Sequence, residues 1–494
     1  MNFPQASKFS IPALVAAAAT GLFLAANGTS TDGNAVYAAD PGFDYTATLI
    51  NPPLVQPPNV VALTPAEQLG KNLLFDTTLS NPAGMACATC HLPTTGFTGP
   101  NTVINYNLGV MPGVVTGRFG HRKPQTIAYA AFSPVGPYFD EDIQVWLGGT
   151  FWDGRTPDLP GQAKMPFLDA DEMANIPTGP YPPHAGGYSS AVVARVKTRP
   201  YANLFAQVYG AQAVASATDS QFYGLITQAI ADYESSLEVN QFSSKYDGSK
   251  FGVPSRGKYQ LSAYEERGRQ LFFGKAQCFQ CHSSATLEPV LAVTGGKDVF
   301  TMYCYANIGV PKNPQNPYYT ETSAAANPNG SNPLGANFID YGLGGNPNPA
   351  PGGQKFMTST PGDMAAFRGL FKAPSLRNAD ARPRPDFIKA YMHNGVFKSL
   401  AQVIHFYNKR NIAINAASQE IAFDLRVGPP KGYFPLFAPP EVMDNVQNVA
   451  GVTPALATSD VASNGQVGNL QLSVAEEAEL AMFLMILTDG FMSP

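Results

Sequence analysis

The chain has 494 residues, 31 basic and 36 acidic side chains, and a formal net charge of −5. This length accommodates two or three domains, and an acidic balance without a basic run argues against nucleic acid as a partner. Glycine and proline number 46 and 44, while charged residues make up only 14% of the chain. This composition predicts a globular protein with many irregular segments.

Residues 1–39 predict a secretory signal peptide, with cleavage after Ala26 or Ala38. Lys8 precedes an apolar stretch from Ile11 to Ala26, and a polar segment with small residues follows it. The stretch is shorter than the ~20 residues of a membrane-spanning helix. We therefore expect its removal, no membrane span in the mature chain, and a periplasmic location.

The first predicted helix, 63–75, recurs in the sequence as 261–273. Each copy begins with a hydroxyl residue that is followed three positions later by a glutamate, the capping-box pattern of a helix N-terminus. The pairs are Thr64 with Glu67 and Ser262 with Glu265. Both copies continue as amphipathic helices, so the repeat predicts two related helical units.

Two pentapeptides, 87–91 and 278–282, have the spacing Cys-x-x-Cys-His and contain four of the five cysteines. Two thiols at this spacing form thioethers with the vinyl groups of a haem, and the histidine becomes an axial iron ligand. The alternatives are a disulfide or a zinc knuckle, but zinc needs further ligands at metal spacing and neither motif has them nearby. We predict two covalent haem c groups. The attachment residues are Cys87, Cys90, Cys278 and Cys281, and the iron ligands are His91 and His282.

Each copy of the repeat ends shortly before one of these motifs, so the chain contains two helix-then-haem units. They predict a mainly α-helical fold with two cytochrome-c-like domains, each with one covalent c-type haem and long irregular loops. We place the first domain at 40–240 and the second at 241–494. The fifth cysteine, Cys304, is expected to be a buried thiol without a chemical role.

Apolar residues recur at helical spacing in three other stretches. These are 222–237, 400–407 and 473–487, the last beginning with Ser473 as N-cap and Glu476 at N3. The segment 311–353 is rich in Asn, Pro and Gly and predicts a long loop or flap. Sustained alternation of polar and apolar residues is absent from the sequence, so strands should be few and short.

Several short segments surround the two motifs in a fixed order. They are 74–76 with 79–80, Phe-Trp-Asp-Gly-Arg at 151–155 with 162–163 and 171–173, 307–311, 371–378, and Tyr-Met-His-Asn-Gly at 391–395. In these segments the chain resembles the bacterial di-haem cytochrome c peroxidase family, which includes MauG-like enzymes that oxidise side chains of other proteins. The resemblance covers nearly the whole mature chain.

The resemblance implies a division of labour between the haems. The first, ligated by His91, has an open position where hydrogen peroxide binds, and the second, ligated by His282, is the electron reservoir. Moving a proton between the peroxide oxygens requires a carboxylate and a hydrogen-bond donor over the open face. Glu172 and Gln162 occupy the matching positions.

Trp152 matches the tryptophan that the family places between the haems as a charge relay. An ordinary core aromatic is the alternative role for Trp152, and Trp146, the only other tryptophan, lies in an insertion. Asp169 and Asp171 are alternative carboxylates to Glu172.

One departure from the family concerns the resting first haem. In typical members a loop histidine about ten residues before the proline matched by Pro124 covers the peroxide side. Residues 114–116 contain no histidine, and His121 is only three residues before Pro124. A swing of His121 onto the iron is the alternative, but we expect a first haem that is open at rest, with His121 on the surface or in the core.

A second departure is Tyr407, which stands where typical members supply a methionine as the far ligand of the second haem. Leu400, Val403, Ile404 and Tyr407 follow helical spacing, so the phenol should point inward. A phenolate stabilises ferric and higher states relative to ferrous iron. A hydrogen-bonded core tyrosine is the alternative, with the far ligand then sought elsewhere. The candidates are Met392, Met302 and His405.

Members of the family also bind calcium between the domains, partly through an asparagine two residues before the proline matched by Pro124. Arg122 stands at that position, and the segment 380–389 carries an insertion. A calcium site therefore stays open as an alternative, but it is not supported residue by residue.

These features predict a periplasmic oxidoreductase that reduces hydrogen peroxide at the first haem. Its electrons would pass through the second haem from a small redox protein of the cytochrome c or cupredoxin type. One alternative is a MauG-like enzyme that uses peroxide to oxidise side chains of a partner protein. The other is a non-catalytic electron carrier with both haems fully ligated.

Overall fold

A computed structural model describes most of the chain after the predicted signal peptide, which lies outside the described residues. These are 62–178, 187–251, 257, 259–285, 287–320, 332, 334–345, 366–423, 425, 428–446 and 467–490. All of them belong to one compact unit, Asp44–Pro494. Within these ranges, no helix combines the length and apolar character needed to cross a bilayer.

The described residues form thirteen α-helices and a few short strands, which confirms the mainly helical fold class. The helices up to residue 240 are α1 (Pro65–Leu74), α2 (Cys87–Cys90), α3 (Thr102–Asn107), α4 (Leu159–Leu168), α5 (Ser190–Val196), α6 (Asn203–Tyr209), α7 (Ala211–Ser216) and α8 (Asp219–Glu234). Those that follow are α9 (Lys245–Phe251), α10 (Ala263–Phe273), α11 (Glu288–Thr294), α12 (Leu400–Lys409) and α13 (Val474–Met485).

The described strands form three small antiparallel sheets. They are β1 (Tyr138–Asp140), β2 (Val145–Leu147), β3 (Tyr305–Ala306), β4 (Phe371–Lys372), β5 (Ile412–Asn415), β6 (Glu420–Ala422) and β7 (Tyr433–Pro435). β1 pairs with β2, β3 pairs with β4, and β5 lies between β6 and β7. The pair β3–β4 joins segments far apart in sequence, so it ties the middle of the chain together.

Both copies of the repeat form helices that begin as predicted. In α1 the Glu67 side chain accepts the Thr64 N–H at 2.7 Å, and the Thr64 hydroxyl accepts the Glu67 N–H at 3.3 Å. In α10 the corresponding distances between Ser262 and Glu265 are 2.6 and 3.2 Å. These reciprocal bonds satisfy backbone donors that a helix N-terminus otherwise leaves unpaired.

A glycine at the same place in each repeat allows α1 and α10 to cross another helix at backbone contact. A Cβ on Gly70 of α1 would lie 1.8 Å from the carbonyl oxygen of Ala229 in α8. A Cβ on Gly268 of α10 would lie 2.0 Å from the carbonyl oxygen of Glu479 in α13. Each crossing belongs to its own hydrophobic core, so the two halves repeat one helical arrangement.

Two expectations need adjustment. The spacing of 222–237 placed Leu237 on the inner face of a helix, which is wrong, because α8 ends at Glu234 and Leu237 is exposed. The described parts of 311–353 are irregular, as predicted, but Tyr318 and Tyr319 are buried and the Tyr319 hydroxyl donates to Glu441. Those parts pack against the rest of the protein and therefore do not form a flap.

The α1–α8 crossing predicts opposite effects for two glycine substitutions. Gly70→Ala should lower the free energy of unfolding by about 3 kcal/mol, because its methyl group would overlap the backbone of α8. Gly224→Ala in α8 is the control, since nothing lies within 4 Å of its Cβ. Better helix propensity should raise its stability by up to about 1 kcal/mol. Denaturant unfolding followed by circular dichroism measures both, and equal effects would contradict the close crossing.

Candidate active site

Each Cys-x-x-Cys-His motif lines a cavity of its own. Cys87, Cys90 and His91 line the first cavity, and Cys278, Cys281 and His282 line the second. Including their open mouths, the two cavities leave about 1260 and 1830 Å³ of space between atoms. Cys87 and Cys90 lie on the single turn of α2, and Cys278 begins a 3₁₀ turn that ends just before Cys281.

The two motif histidines are held in the same tautomer. The Nδ1 atom of His91 lies 3.2 Å from the Phe97 carbonyl oxygen, and that of His282 lies 3.1 Å from the Pro374 carbonyl oxygen. A carbonyl oxygen only accepts, so each Nδ1 carries the hydrogen and each Nε2 keeps its lone pair. Burial lowers the pKa of both imidazoles, that of His282 to about 4, so both are neutral. A neutral imidazole with a free Nε2 is a metal ligand.

Gln162, Glu172 and Trp152 all line the first cavity together with His91. Gln162 belongs to α4, whose first turn is capped by the Asp158 carboxylate at 2.8 Å from the Gly161 N–H. The structure therefore brings the three predicted residues to one site, although 20 positions separate Trp152 from Glu172.

Glu172 lies in the turn that follows α4. Its N–H donates to the Asp169 carbonyl at 3.2 Å, and its own carbonyl accepts the Val114 N–H at 2.8 Å. The segment around 114, where typical relatives place a loop histidine, thus fixes Glu172. Of the rival acids, Asp171 also lines the cavity, while the Asp169 carboxylate accepts the Asp171 N–H at 2.8 Å.

The environment of Glu172 favours its protonated form. Burial raises the pKa of Glu172 well above its ordinary value, the neighbouring Asp169 and Asp171 raise it further, and Arg155 opposes them. A carboxyl group with a raised pKa can both hold and release a proton near neutral pH, which general acid–base chemistry requires.

Trp152 lies between the two cavities. Five described residues line both, and we call them the dividing wall: Lys123, Gln125, Thr126, Trp152 and Lys372. The indole Nε1 of Trp152 donates to the Lys123 carbonyl at 2.8 Å, and the Trp152 carbonyl accepts the Lys372 N–H at 2.9 Å. Its ring meets His393 edge-on at 6.5 Å between centroids. Trp146 packs against Phe139 and Phe367 and lines neither cavity.

Tyr407 lines the second cavity from α12, together with Leu400, Val403 and Ile404. The predicted inward face of this helix is therefore confirmed. Among the other candidates for a far ligand, Met392 also lines the cavity, whereas Met302 and His405 do not.

His405 and Tyr407 differ in their surroundings although both lie on α12. His405 contacts the Glu477 carboxylate through Nδ1 at 3.0 Å. Burial raises the pKa of Tyr407 well above its ordinary value, and the nearby thiols of Cys281 and Cys278 add to the effect. In this pocket the phenol is neutral unless a positive charge is placed beside it.

The structure also locates His121 and Cys304, of which only His121 differs from its expected surroundings. His121 lines the first cavity, with its ring 5.2 Å from that of Tyr318, and burial lowers its pKa to about 3. It is therefore neutral and neither a surface residue nor part of a closed core. Cys304 is buried as predicted, and a hydrogen bond with Cys281 together with burial raises its pKa.

The sequence did not single out the charged groups of the dividing wall. Burial lowers the pKa of Lys123 and of Lys372 to about 7. Lys123 donates to the Thr98 hydroxyl at 2.8 Å and to the Pro124 carbonyl, and Lys372 donates to the Gly149 carbonyl at 2.6 Å. Lys372 lies in the segment 371–378 that carried the resemblance, but only the fold shows that it faces both cavities.

These surroundings fit a haem in each cavity. Buried ammonium groups favour nearby anions, and a haem brings two carboxylates as well as an apolar ring for the largely apolar lining. His393 supports the same conclusion, because it lines the second cavity and its buried Nε2 lacks a hydrogen-bond partner among the described residues. The ligand nitrogens and thiol pairs are therefore the donor set that the sequence predicts, and the buried lysines add cations that it did not single out.

A sequence model of the family described as di-haem cytochrome c peroxidase matches residues 64–252. The methylamine utilization protein MauG of Paracoccus denitrificans is 33% identical over 344 residues, which cover 69% of this chain and 73% of that protein. The chain belongs to the di-haem cytochrome c peroxidase and MauG family. It is therefore a haem oxidoreductase.

Other members and structures agree with this assignment. The cytochrome c551 peroxidase of Nitrosomonas europaea is 27% identical over 355 residues, covering 71% of this chain and 75% of that protein. Among solved structures, the diheme peroxidase BthA of Burkholderia thailandensis has a TM-score of 0.60 at 23% identity, over 87% of each chain. The latter similarity shows a shared fold.

Glu172→Gln should slow the reaction with hydrogen peroxide by about 10²–10⁴-fold, because the amide cannot accept a proton. In the parent protein the rate should rise with pH through the raised pKa of Glu172, since the carboxylate form accepts the proton. The variant should lose this dependence. Stopped-flow absorbance at several pH values measures both effects.

Asp169→Asn is the matched control for that experiment. It keeps the Glu172 carboxyl and removes one charge that raises its pKa, so the midpoint should move to lower pH with the maximal rate kept. A Glu172→Gln variant that reacts at the parent rate would transfer the role to Asp171.

Proposed function

We propose that this protein is a periplasmic, MauG-like enzyme that uses hydrogen peroxide to oxidise side chains of a partner protein. The observation that carries the proposal is Tyr407, which lines the second cavity from the inner face of α12. The similarity to MauG at 33% identity supports the same choice. A tyrosine ligand would suit a haem that holds oxidising equivalents better than one that is easily reduced.

The cofactors of this proposal are two haem c groups. Cys87 and Cys90 would hold the first by thioethers with His91 as ligand, and Cys278, Cys281 and His282 would hold the second. When bound, each haem supplies an iron that exchanges electrons with peroxide or with the neighbouring redox groups. The remaining chemistry belongs to side chains of the chain itself.

Over the first cavity, Glu172 and Gln162 would manage the protons of the substrate. Ionised Glu172 accepts a proton from one peroxide oxygen and returns it to the other, which leaves as water. The Gln162 amide donates a hydrogen bond to the departing oxygen. Complete reduction of one peroxide to two waters consumes two electrons and two protons, and in this proposal the electrons come ultimately from the oxidised partner.

Trp152 would carry electrons across the dividing wall. Its ring touches both cavities, and its two backbone-anchored hydrogen bonds fix it in place. At the second cavity, the Tyr407 phenol would ionise only beside a positive charge, such as that of an iron held by His282. A hard anionic oxygen then favours ferric and higher states over ferrous.

The second candidate is a peroxidase that draws its electrons from a small cytochrome c or cupredoxin. The similarity to the cytochrome c551 peroxidase of Nitrosomonas europaea favours it. Turnover with peroxide and candidate donors separates the two, because only the MauG-like activity leaves oxidised side chains in a partner protein, detectable by mass spectrometry. A resting protein with two low-spin haems and no response to peroxide would instead indicate an electron carrier.

Tyr407→Phe should convert the second haem to a five-coordinate, high-spin form, because phenylalanine has no donor atom. Tyr407→Met should restore six-coordination and raise the reduction potential of that haem by on the order of 100 mV, since a thioether favours ferrous iron. Electronic absorption, EPR and redox titration measure these changes. An unchanged second haem in Tyr407→Phe would make Tyr407 a core residue and direct attention to Met392.

The two tryptophans provide a matched pair of variants. Trp152→Phe should slow electron transfer between the haems by about tenfold or more, equivalent to ~1.4 kcal/mol on the barrier, while the first haem still reacts with peroxide. Trp146→Phe, outside both cavities, should behave as the parent. Rapid-mixing spectra that follow each haem separately make the comparison, and equal rates for the two variants would remove Trp152 from the relay.

A further inference from the structure

Lys389 is a buried lysine whose ammonium group joins the two halves of the chain. Its Nζ donates to the carbonyl oxygens of Thr95 at 2.8 Å, Asn378 at 3.1 Å and Ala381 at 3.0 Å. Thr95 belongs to the first half, before residue 240, and the other two belong to the second. The side chain is only 4% exposed, so these carbonyls replace water entirely.

The number of acceptors indicates the protonation state of Lys389. Burial lowers the pKa of Lys389, and the nearby Lys123 lowers it further. A neutral amine, however, has two N–H groups and would direct its lone pair at the third carbonyl oxygen. Three acceptors at hydrogen-bond distance require the three donors of an ammonium ion.

Arg122 makes a second buried connection of the same kind. Its guanidinium binds both carboxylate oxygens of Asp340 at 2.7 Å, and a third nitrogen lies 2.7 Å from the Asp153 carboxylate. Asp153 belongs to the first half and Asp340 to the second, and all three side chains are at most 10% exposed. The Arg122 guanidinium therefore lies between two carboxylates that would otherwise repel each other.

We infer that Lys389 and Arg122 replace a bound metal ion as the cations that join the two halves, so that this protein needs no calcium. Carbonyl and carboxylate oxygens are the ligands that calcium prefers. At each of these two connections, the oxygens already surround an organic cation. A divalent ion would have to displace one of them or lie beside it with like charge.

Arg122 and Lys389 both lie where the sequence departs from the pattern of the family. Arg122 stands where relatives have the asparagine associated with calcium, and Lys389 closes the inserted segment 380–389. The inference concerns the stability and metal content of the chain, so it does not depend on whether the substrate is a partner protein or a small electron donor.

The test begins with the holoprotein purified without added calcium. Elemental analysis by mass spectrometry should find far less than one calcium per chain, and EGTA should leave Tm and the haem absorption spectrum unchanged. One calcium retained per chain, or a fall in Tm on chelation, would overturn the inference. These measurements need no variant, so they decide the matter even if a variant fails to fold.

Lys389→Met tests the ammonium group itself, because methionine fills similar space without donors. We expect Tm to fall by about 5–10 °C, since three buried carbonyls lose their partner. Lys275→Met is the control: Lys275 is 43% exposed and pairs with Glu476 at the surface, so its Tm should stay within about 2 °C of the parent. Equal Tm values for Lys389→Met and the parent would contradict a joining role.

Discussion

The dividing wall is the constraint on which the rest of this structure depends. The two cavities share five lining residues, so the same groups both separate the cavities and are in contact with each of them. The wall contains one aromatic ring, Trp152, held by the backbone of its neighbours Lys123 and Lys372. Because the indole donates to a main-chain carbonyl, this anchor of the ring does not depend on the rotamer of a neighbouring side chain.

The same wall explains why so many charged groups are buried near the middle of the chain. Lys123 and Lys372 donate only to neutral oxygens in the bonds described above, and Arg122 holds two acids from different halves. Buried charges of this kind are costly unless they are paired. Their presence in one region indicates that anionic groups belong there, which agrees with cofactors that carry carboxylates.

Local patterns in the sequence were sufficient for several of the helices but not for the assembly of the site. The capping boxes of Thr64 and Ser262 depend on residues three positions apart, and the inner face of Tyr407 depends on helical spacing. Both were therefore predicted correctly. The assembly of Gln162, Glu172 and Trp152 at His91 could be predicted only through resemblance, because nothing local brings distant segments together.

The errors also have physical causes. Leu237 continues the apolar spacing of α8, but the helix ends at Glu234. Beyond that residue, helical spacing no longer predicts which side chains face the core. His121 lines a cavity because the chain folds back near Tyr318, a long-range contact without a local pattern. The contacts of Lys389 involve residues up to 294 positions away, and a single lysine in an inserted segment gave no sign of them.

The neutral carbonyl acceptors behind His91 and His282 have a consequence for how the work of catalysis is divided. A carboxylate in that place would make an imidazole more basic and a stronger electron donor to its metal. The carbonyl groups of Phe97 and Pro374 are neutral, so they raise the basicity of the imidazoles less than a carboxylate would. If these residues hold a haem as proposed, His91 would lend less electron density to the iron, and Glu172 and Gln162 would carry more of the chemistry with peroxide.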